Sequence, residues 1–142
     1  MLSKVATVVA ATLMTSTVLA YQQAPSQVMT ADGQIKLMSL TEFAAGALPA
    51  YTAGVVAPKV NTIVAAKYTA DAMRQKIQGD VGVDVIIEPD GKVSRAMVTK
   101  SLQPDLDLNA LTAAIADTFQ PGTVNGKPVA VLAHMNVTFR LH

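Results

Sequence analysis

Apolar and polar residues alternate along the last part of the chain, from Val129 to Leu141. Every odd-numbered position in this stretch is apolar. The even-numbered positions from His134 onward are polar: His134, Asn136, Thr138 and Arg140. Alternation with a period of two predicts a long strand that has one face on a core and one face in water. Such a terminal strand, which contains no proline, either pairs within its own sheet or is available to a partner.

A second alternating segment, Val81–Glu88, is followed by the turn signal Pro89-Asp90-Gly91, and the apolar pattern then returns over Val93–Ser101. These segments predict a β-hairpin. The apolar positions of the return arm shift phase by one residue after Val93, which indicates a β-bulge.

The residues before this hairpin predict a short helix that begins after Thr69. Thr69 can accept a hydrogen bond from the first-turn amides as the N-cap. Tyr68 and Met73 occupy the two positions of a hydrophobic staple around it. Gly79 is placed to end this helix in a left-handed conformation.

A second helix follows the hairpin, and Asp107 is predicted to be its N-terminal cap. An apolar stripe at helical spacing is expected to face the core: Leu108, Leu111, Ile115 and Phe119. Pro121 and Gly122 end this helix, and Asn125-Gly126 predicts the turn into the final strand.

The order of elements is therefore helix, strand, strand, helix, strand. It predicts an α+β fold in which a small three-stranded antiparallel sheet carries two helices on one face and ends in a long C-terminal strand. The other face of the sheet is expected to be open to water and to carry polar side chains: Asp84, Glu88, His134, Asn136, Thr138 and Arg140.

The start of the chain has the pattern of an export signal. A short basic start, Met1–Lys4, precedes an apolar run that ends in small residues, which predicts a signal peptide over residues 1–20 with cleavage after Ala20. The alternative is an uncleaved membrane anchor, although Val5–Ala20 is shorter than the ~20 residues that a spanning helix needs. Residues 21–57 are predicted to form a partly structured linker and residues 58–142 the folded domain.

Charge and cysteine content exclude several classes of function. Without Lys4 the remaining chain has ten basic and ten acidic residues, and this balance argues against nucleic acid as a partner. The chain has no cysteine, so it carries no disulfide framework, no thiolate chemistry and no lipid attachment after Ala20.

The sequence offers no constellation for catalysis or metal binding. His134 is the only internal histidine, and no second histidine or carboxylate stands at ligand spacing from it, so we interpret it as a solvated residue of the sheet face. No nucleophile is paired with a base, and no phosphate loop or zinc pattern is present. We therefore predict neither enzymatic activity, nor a cofactor, nor a metal site.

A set of short motifs runs in a fixed order through the last 85 residues. They are Tyr68-Thr69-Ala70-Asp71-Ala72-Met73-Arg74, Ile77-Gln78-Gly79, Val81-x-Val83, Asp90-Gly91-Lys92-Val93, Leu106-Asp107, Ala110-Leu111, Phe119-x-Pro121-Gly122, Asn125-Gly126-Lys127-Pro128-Val129-x-Val131 and Thr138-Phe139-x-Leu141. No single motif is specific, but the ordered set resembles the C-terminal domain of TonB-family proteins. The resemblance implies a small antiparallel sheet with two helices. It also implies a role in energy transduction, in which the domain pairs a strand with the N-terminal peptide of an outer-membrane receptor.

The chain also departs from the pattern of this family. The family's Tyr-Pro before the first helix is Tyr68-Thr69 here, and its large aromatic residue two positions before the Phe-x-Pro is Asp117. The apolar N-terminal run lacks the histidine that the anchors of transducers in this family carry. About 37 residues separate Ala20 from Pro58, which span ~130 Å at most and are too few to cross a periplasm.

Two classes of function follow from these observations. In the first, the chain is a periplasmic or exported binding module that recognises a protein or an extended peptide at its last strand, where His134, Asn136, Thr138 and Arg140 contact the partner. In the second, the same edge strand pairs with another copy to form a homodimer. Membrane association is expected only if the signal segment stays uncleaved, in which case the chain is a short transducer anchored in the inner membrane.

Overall fold

The computed structural model describes residues 26–142. The predicted signal segment and its cleavage site after Ala20 lie outside these residues. The central element is a six-stranded sheet. Its strands are, in spatial order, β2 (Ile35–Met38), β1 (Ser26–Thr30), β7 (Val93–Lys100), β6 (Gly79–Ile87), β11 (Val131–Phe139) and β3 (Leu48–Pro49).

Three helices and two small sheets complete the described chain. The helices are α1 (Leu40–Phe43), α2 (Ala70–Arg74) and α3 (Pro104–Ala116). One small sheet contains β10 (Lys127–Val129), β9 (Gly122–Val124) and β4 (Val55–Val56), and the other pairs β5 (Lys59–Thr62) with β8 (Thr118–Gln120). The α+β class predicted from the sequence is confirmed. The predicted count of three strands is wrong, because β1, β2 and β3 extend the antiparallel group β7-β6-β11 on both sides.

The hairpin between β6 and β7 closes at Gly91. Its N–H donates to the carbonyl of Glu88 at 2.8 Å, and its φ is +84°. A Cβ at this position would lie 2.0 Å from the carbonyl oxygen of Phe119, so glycine alone fits. The pairing of the two strands shifts register between Ile86 and Ile87, which is the bulge that the phase shift predicts.

The last strand, β11, pairs with β6 in one unbroken antiparallel register, from Val131 opposite Ile87 to Phe139 opposite Gly79. Phe139 is buried in the main hydrophobic core, and the odd-numbered residues Ala133, Met135 and Val137 pack against that core. Val131, at the start of the strand, is fully buried as well. The ring of Tyr68 meets that of Phe139 edge-on, with 5.4 Å between the centroids. The apolar and polar residues that alternate in the sequence of β11 therefore lie on opposite faces of the strand, as predicted.

Helix α3 packs on this same face, but with a phase different from the predicted one. Its buried side chains are Leu106, Ala110, Leu111, Ala113 and Ala114. Leu108, predicted to face the core, is 49% exposed. The helix begins at Pro104 and ends at Ala116, so Phe119 reaches the core from strand β8 and not from the helix.

Two predicted helix boundaries need correction. Helix α3 has Gln103 at its N-cap, and Asp107 lies one turn inside. The Oδ1 atom of Asp107 accepts hydrogen bonds from the backbone N–H groups of Leu102 (2.9 Å) and Gln103 (3.3 Å), so this carboxylate satisfies the amides that precede the helix.

Helix α2 ends earlier than predicted. Thr69 is its N-cap, and the Thr69 hydroxyl accepts from the N–H of Ala72 at 3.2 Å. After Arg74 the left-handed residue is Lys76, with a φ of 54°. Gly79 therefore does not end the helix, and instead begins strand β6.

The second face of the sheet carries a smaller core. Phe43 of α1 is buried there with Val28, Ile86 and Met97, so the face that the sequence predicts to be open is partly covered. Strand β1 also pairs with β7, with Val28 opposite Met97. Residues 26–57 thus share both the sheet and a core with the rest of the described chain. Within the described part of the chain, none of the helices combines the length and the hydropathy that crossing a membrane requires.

Candidate functional site

The outer edge of β11 is occupied by the chain itself over only two residues. Strand β3 runs parallel to β11 there, opposite Val131 and Leu132. The N–H of Leu48 donates to the carbonyl of Ala130 at 3.0 Å, and that of Ala50 donates to the carbonyl of Leu132 at 2.9 Å. Beyond this point, no strand formed by residues 26–142 pairs with the outer edge of β11.

The register fixes which backbone groups face that open edge. The carbonyls of Ala130 and Leu132 point towards β3, and backbone groups point to alternate sides along a strand. Because the pairing with β6 contains no shift, the N–H and C=O groups of His134, Asn136 and Thr138 also point outward. The predicted contact residues of β11 therefore include those whose main chain is free to pair.

The side chains of these residues lie on the polar face of the sheet and contact strand β6. The Nδ1 atom of His134 lies 2.8 Å from Oδ1 of Asp84, and the Thr138 hydroxyl donates to Oδ1 of Asp80 at 2.7 Å. Asn136 lies opposite Gly82. Arg140 is exposed and follows the last residue of β11. These cross-strand contacts hold two of the four predicted side chains beside the open edge.

His134 lies close to one carboxylate, that of Asp84. The side chain of His134 is 54% exposed, and Asp84 is its carboxylate partner. In the part of the chain that the structure describes, no three histidine, aspartate or glutamate side chains are grouped as metal ligands would be. The pair is an exposed cross-strand contact, which stabilises a fold only slightly.

A groove lies under the open edge, on the core side of β11. It encloses about 330 Å³ between the extended segment 63–66, the C-terminal half of α3 and the last part of β11. Its lining residues are Ile63, Val64, Ala65, Ala66, Ala113, Asp117, Met135, Asn136, Val137 and Thr138. The backbone N–H and C=O groups of this edge are therefore accessible, and small and medium-sized apolar side chains border it.

Asp117, the C-cap of α3, holds one wall of this groove. This residue is 2% exposed, and its Oδ1 atom accepts a hydrogen bond from the N–H of Val64 at 2.7 Å. Burial raises the pKa of the Asp117 carboxyl above its ordinary value of 3.8, and the hydrogen bond from Val64 opposes that shift. Only one feature of the sequence points to Asp117: an acid stands where the TonB-family pattern has a large aromatic residue.

The Phe119-x-Pro121-Gly122 motif supports the start of β11. A Cβ on Gly122 would lie 2.5 Å from a methyl group of Val131, so the two strands approach closely there. Pro121 connects β8 to β9 beside the β6–β7 turn, and its Cδ would lie 3.7 Å from a Cβ on Gly91. The motif therefore fixes the turn and the first residue of β11 against each other.

Comparison with known proteins gives one family match and one similar fold. The family model described as the Gram-negative bacterial TonB protein C-terminal matches residues 64–141. Among solved structures, the solution NMR structure of the Pseudomonas aeruginosa TonB CTD is similar, with a TM-score of 0.51 and 24% sequence identity. That similarity covers 65% of this chain and 91% of the Pseudomonas chain. A search of curated proteins found no significant match. The family match begins after β5, so β1 to β5 precede the matched region.

Proposed function

This chain belongs to the family of Gram-negative bacterial TonB C-terminal domains, and from that premise we propose that it binds an extended segment of a protein partner as an added strand on β11. Domains of this family act in energy transduction through protein contacts and not through catalysis. The proposal concerns the finer step, which is how this chain holds its partner.

The free main chain of β11 carries the proposal. The outward N–H and C=O groups at His134, Asn136 and Thr138 form a ready template for a further strand. Strand addition obtains its affinity from main-chain hydrogen bonds and its selectivity from side chains at alternate positions. The free stretch is short, because β3 occupies the edge at Val131 and Leu132. A guest segment of about seven residues matches it.

The two faces of the guest strand meet different surfaces. Side chains on its core side lie over the groove formed by segment 63–66 and Val137. Side chains on its other face lie beside His134 and Thr138, which are fixed by Asp84 and Asp80. This arrangement selects a segment that is apolar on its core side and polar on the other.

Membership of this family supports a proposal for the partner and for the location. We propose that the mature protein is exported to the periplasm, with its signal segment cleaved after Ala20, and that its partner is an outer-membrane receptor with an extended N-terminal peptide. Recovery of the protein from the periplasmic fraction, with Tyr21 as its first residue, would support this location and cleavage site. Recovery of the intact chain in the inner membrane would support the anchored transducer instead.

Replacement of Asn136 tests the mechanism. The Asn136 N–H faces the open edge, so Asn136→Pro removes an outward donor while the core-facing side chains of β11 stay in place. We expect it to abolish binding of synthetic peptides that cover the N-terminal segments of the outer-membrane receptors of the same organism. Asn136→Ala is the matched control, because it keeps the donor, and it should bind nearly as the wild type does. Equal binding by both variants would exclude pairing at this edge.

A further inference from the structure

The polar side of the open edge has a cavity of its own, at the point where β3 ends. It is open to solvent, has a volume of about 540 Å³, and is lined by Ala50, Tyr51, Asp84, Leu132, Ala133 and His134. We propose that this cavity is a subsite for one basic side chain of the added peptide, an arginine or a lysine. This proposal rests on the strand addition proposed above, and it specifies which guest side chain the edge of β11 selects.

The position of the cavity ties it to the first residues of a guest strand. The N–H of Ala50 makes the last hydrogen bond between the β3 segment and β11, to the carbonyl of Leu132. The next outward-facing residue of β11 is His134, so a guest strand begins beside Tyr51. Tyr51 is 91% exposed, and it precedes the region matched by the family model. The subsite is thus built partly from residues that this chain adds to the family domain.

The charge of the lining selects a cation. Asp84 is a carboxylate whose side chain is 25% exposed, and its Oδ1 contacts His134. Its second oxygen has no hydrogen-bond partner among residues 26–142. None of the six lining residues is a lysine or an arginine, so no fixed cation repels a basic guest.

Reach restricts the guest to a long side chain. A guest residue opposite His134 lies two strand spacings, ~10 Å, from the main chain of Asp84. Only a side chain with a long aliphatic stem spans that gap and still carries a charge. Such a stem packs on Leu132, with its charged end at Asp84. The exposed ring of Tyr51 then offers a cation–π contact, and arginine can also pair with the carboxylate through two N–H groups.

A peptide array tests this subsite. Peptides of eight residues that carry arginine at each position in turn are compared with matched peptides that carry citrulline, which has nearly the same shape and no charge. We expect the wild-type protein to prefer arginine over citrulline about tenfold at one position only, as for a hydrogen bond to a charged group. Asp84→Asn and Tyr51→Ala should reduce this preference. Tyr51→Phe keeps the ring and should retain it, as should Leu37→Ala at the opposite edge of the sheet.

The outcomes separate the subsite from strand addition. Peptides that bind equally well with arginine or citrulline at every position overturn the subsite and leave strand addition intact. An arginine preference that persists in Asp84→Asn also overturns it. If no peptide binds, strand addition fails, and titration with N-acetylarginine methylamide then decides the subsite alone. The subsite is supported if N-acetylarginine methylamide shifts the ring NMR signals of Tyr51 and His134 and N-acetylcitrulline methylamide does not. Equal responses to the two compounds refute the subsite.

Discussion

The buried carboxylate of Asp117 accepts a hydrogen bond from the backbone N–H of Val64 at a distance of 2.7 Å. This contact joins the end of α3 to the extended segment that borders the open edge of β11. The carboxylate therefore places one wall of the proposed peptide site, and it does so at the cost of burying an ionisable group.

Asp117 is expected to make stability depend on pH. Burial raises its pKa in the folded state above the ordinary value of 3.8, so the unfolded state releases this proton at lower pH than the folded state does. The contribution of Asp117 to stability is therefore present below pH 3.8 and is lost as pH rises through the folded-state pKa. Asp117→Asn keeps an acceptor for Val64 without a charge. Urea melts should show this variant to be more stable than wild type at pH 7 and closer to it at pH 3.5.

The matched variant Asp117→Ala separates the charge from the hydrogen bond. It removes the acceptor as well as the charge, so it should be less stable than Asp117→Asn by about 1–3 kcal/mol. If wild type and Asp117→Asn show the same dependence on pH between 3.5 and 7, the carboxylate is not the source of the effect.

The corrected phase of α3 predicts unequal effects of two leucine replacements. Leu111 is 5% exposed and lies in the main core, whereas Leu108 is 49% exposed. Leu111→Ala should lower the free energy of unfolding by about 2–5 kcal/mol, as for other large-to-small changes in a core. Leu108→Ala should lower it by less than about 1 kcal/mol. Equal losses of unfolding free energy in denaturant melts would show that α3 turns a different face to the core.

The hairpin turn predicts a similar contrast between two glycines. Gly91 and Gly33 have nearly the same backbone conformation, with φ values of +84° and +80°. A Cβ at Gly33 meets nothing within 4 Å, so Gly33→Ala should cost only the ~1–2 kcal/mol of a left-handed residue. Gly91→Ala adds the contact with the carbonyl of Phe119 and should cost clearly more. Thermal melts of the two variants measure the difference, and equal melting temperatures would be inconsistent with the close contact at Gly91.

The parts of the fold that the sequence predicts well are those with a long, strict pattern. The alternation from Val129 to Leu141 gives the faces of β11, and the phase shift after Val93 gives the bulge in β7. Both follow from the geometry of a strand, in which neighbouring side chains point to opposite faces. One extra residue therefore moves the side chains that follow it to the other face. The hairpin turn at Pro89-Asp90-Gly91 was predictable for a related reason, since few residues adopt its backbone conformation.

The parts that the sequence misses depend on contacts between distant segments. Residues 26–57 give weak local signals, because β3 and β4 contain two residues each and β2 is largely exposed. Their place in the sheet comes from pairing with β7, β9 and β11, which no local pattern encodes. Asp107 is a good capping residue in isolation, but Pro104 can begin the helix earlier, which moves the buried stripe.

The candidate site was predicted in the same uneven way. Polarity alone indicates the even-numbered residues of β11, and His134, Asn136 and Thr138 lie at the open edge. The sequence does not mark Asp117 and Tyr51 as site residues, because one is an acid at an expected packing position and the other lies in a segment without a clear pattern. Their positions beside β11 become evident only once the chain is folded.

Amide hydrogen exchange along β11 tests the central claim most directly. We expect exchange rates to alternate in the dilute monomer. The amides of Met135 and Val137 pair with β6 and should exchange slowly, whereas those of Asn136 and Thr138 face the open edge and should exchange quickly. Addition of a bound peptide should slow the even-numbered amides and leave the odd-numbered ones unchanged. Equal protection of both sets in the dilute monomer, with no change on addition of peptide or on raising the protein concentration, would contradict an accessible edge.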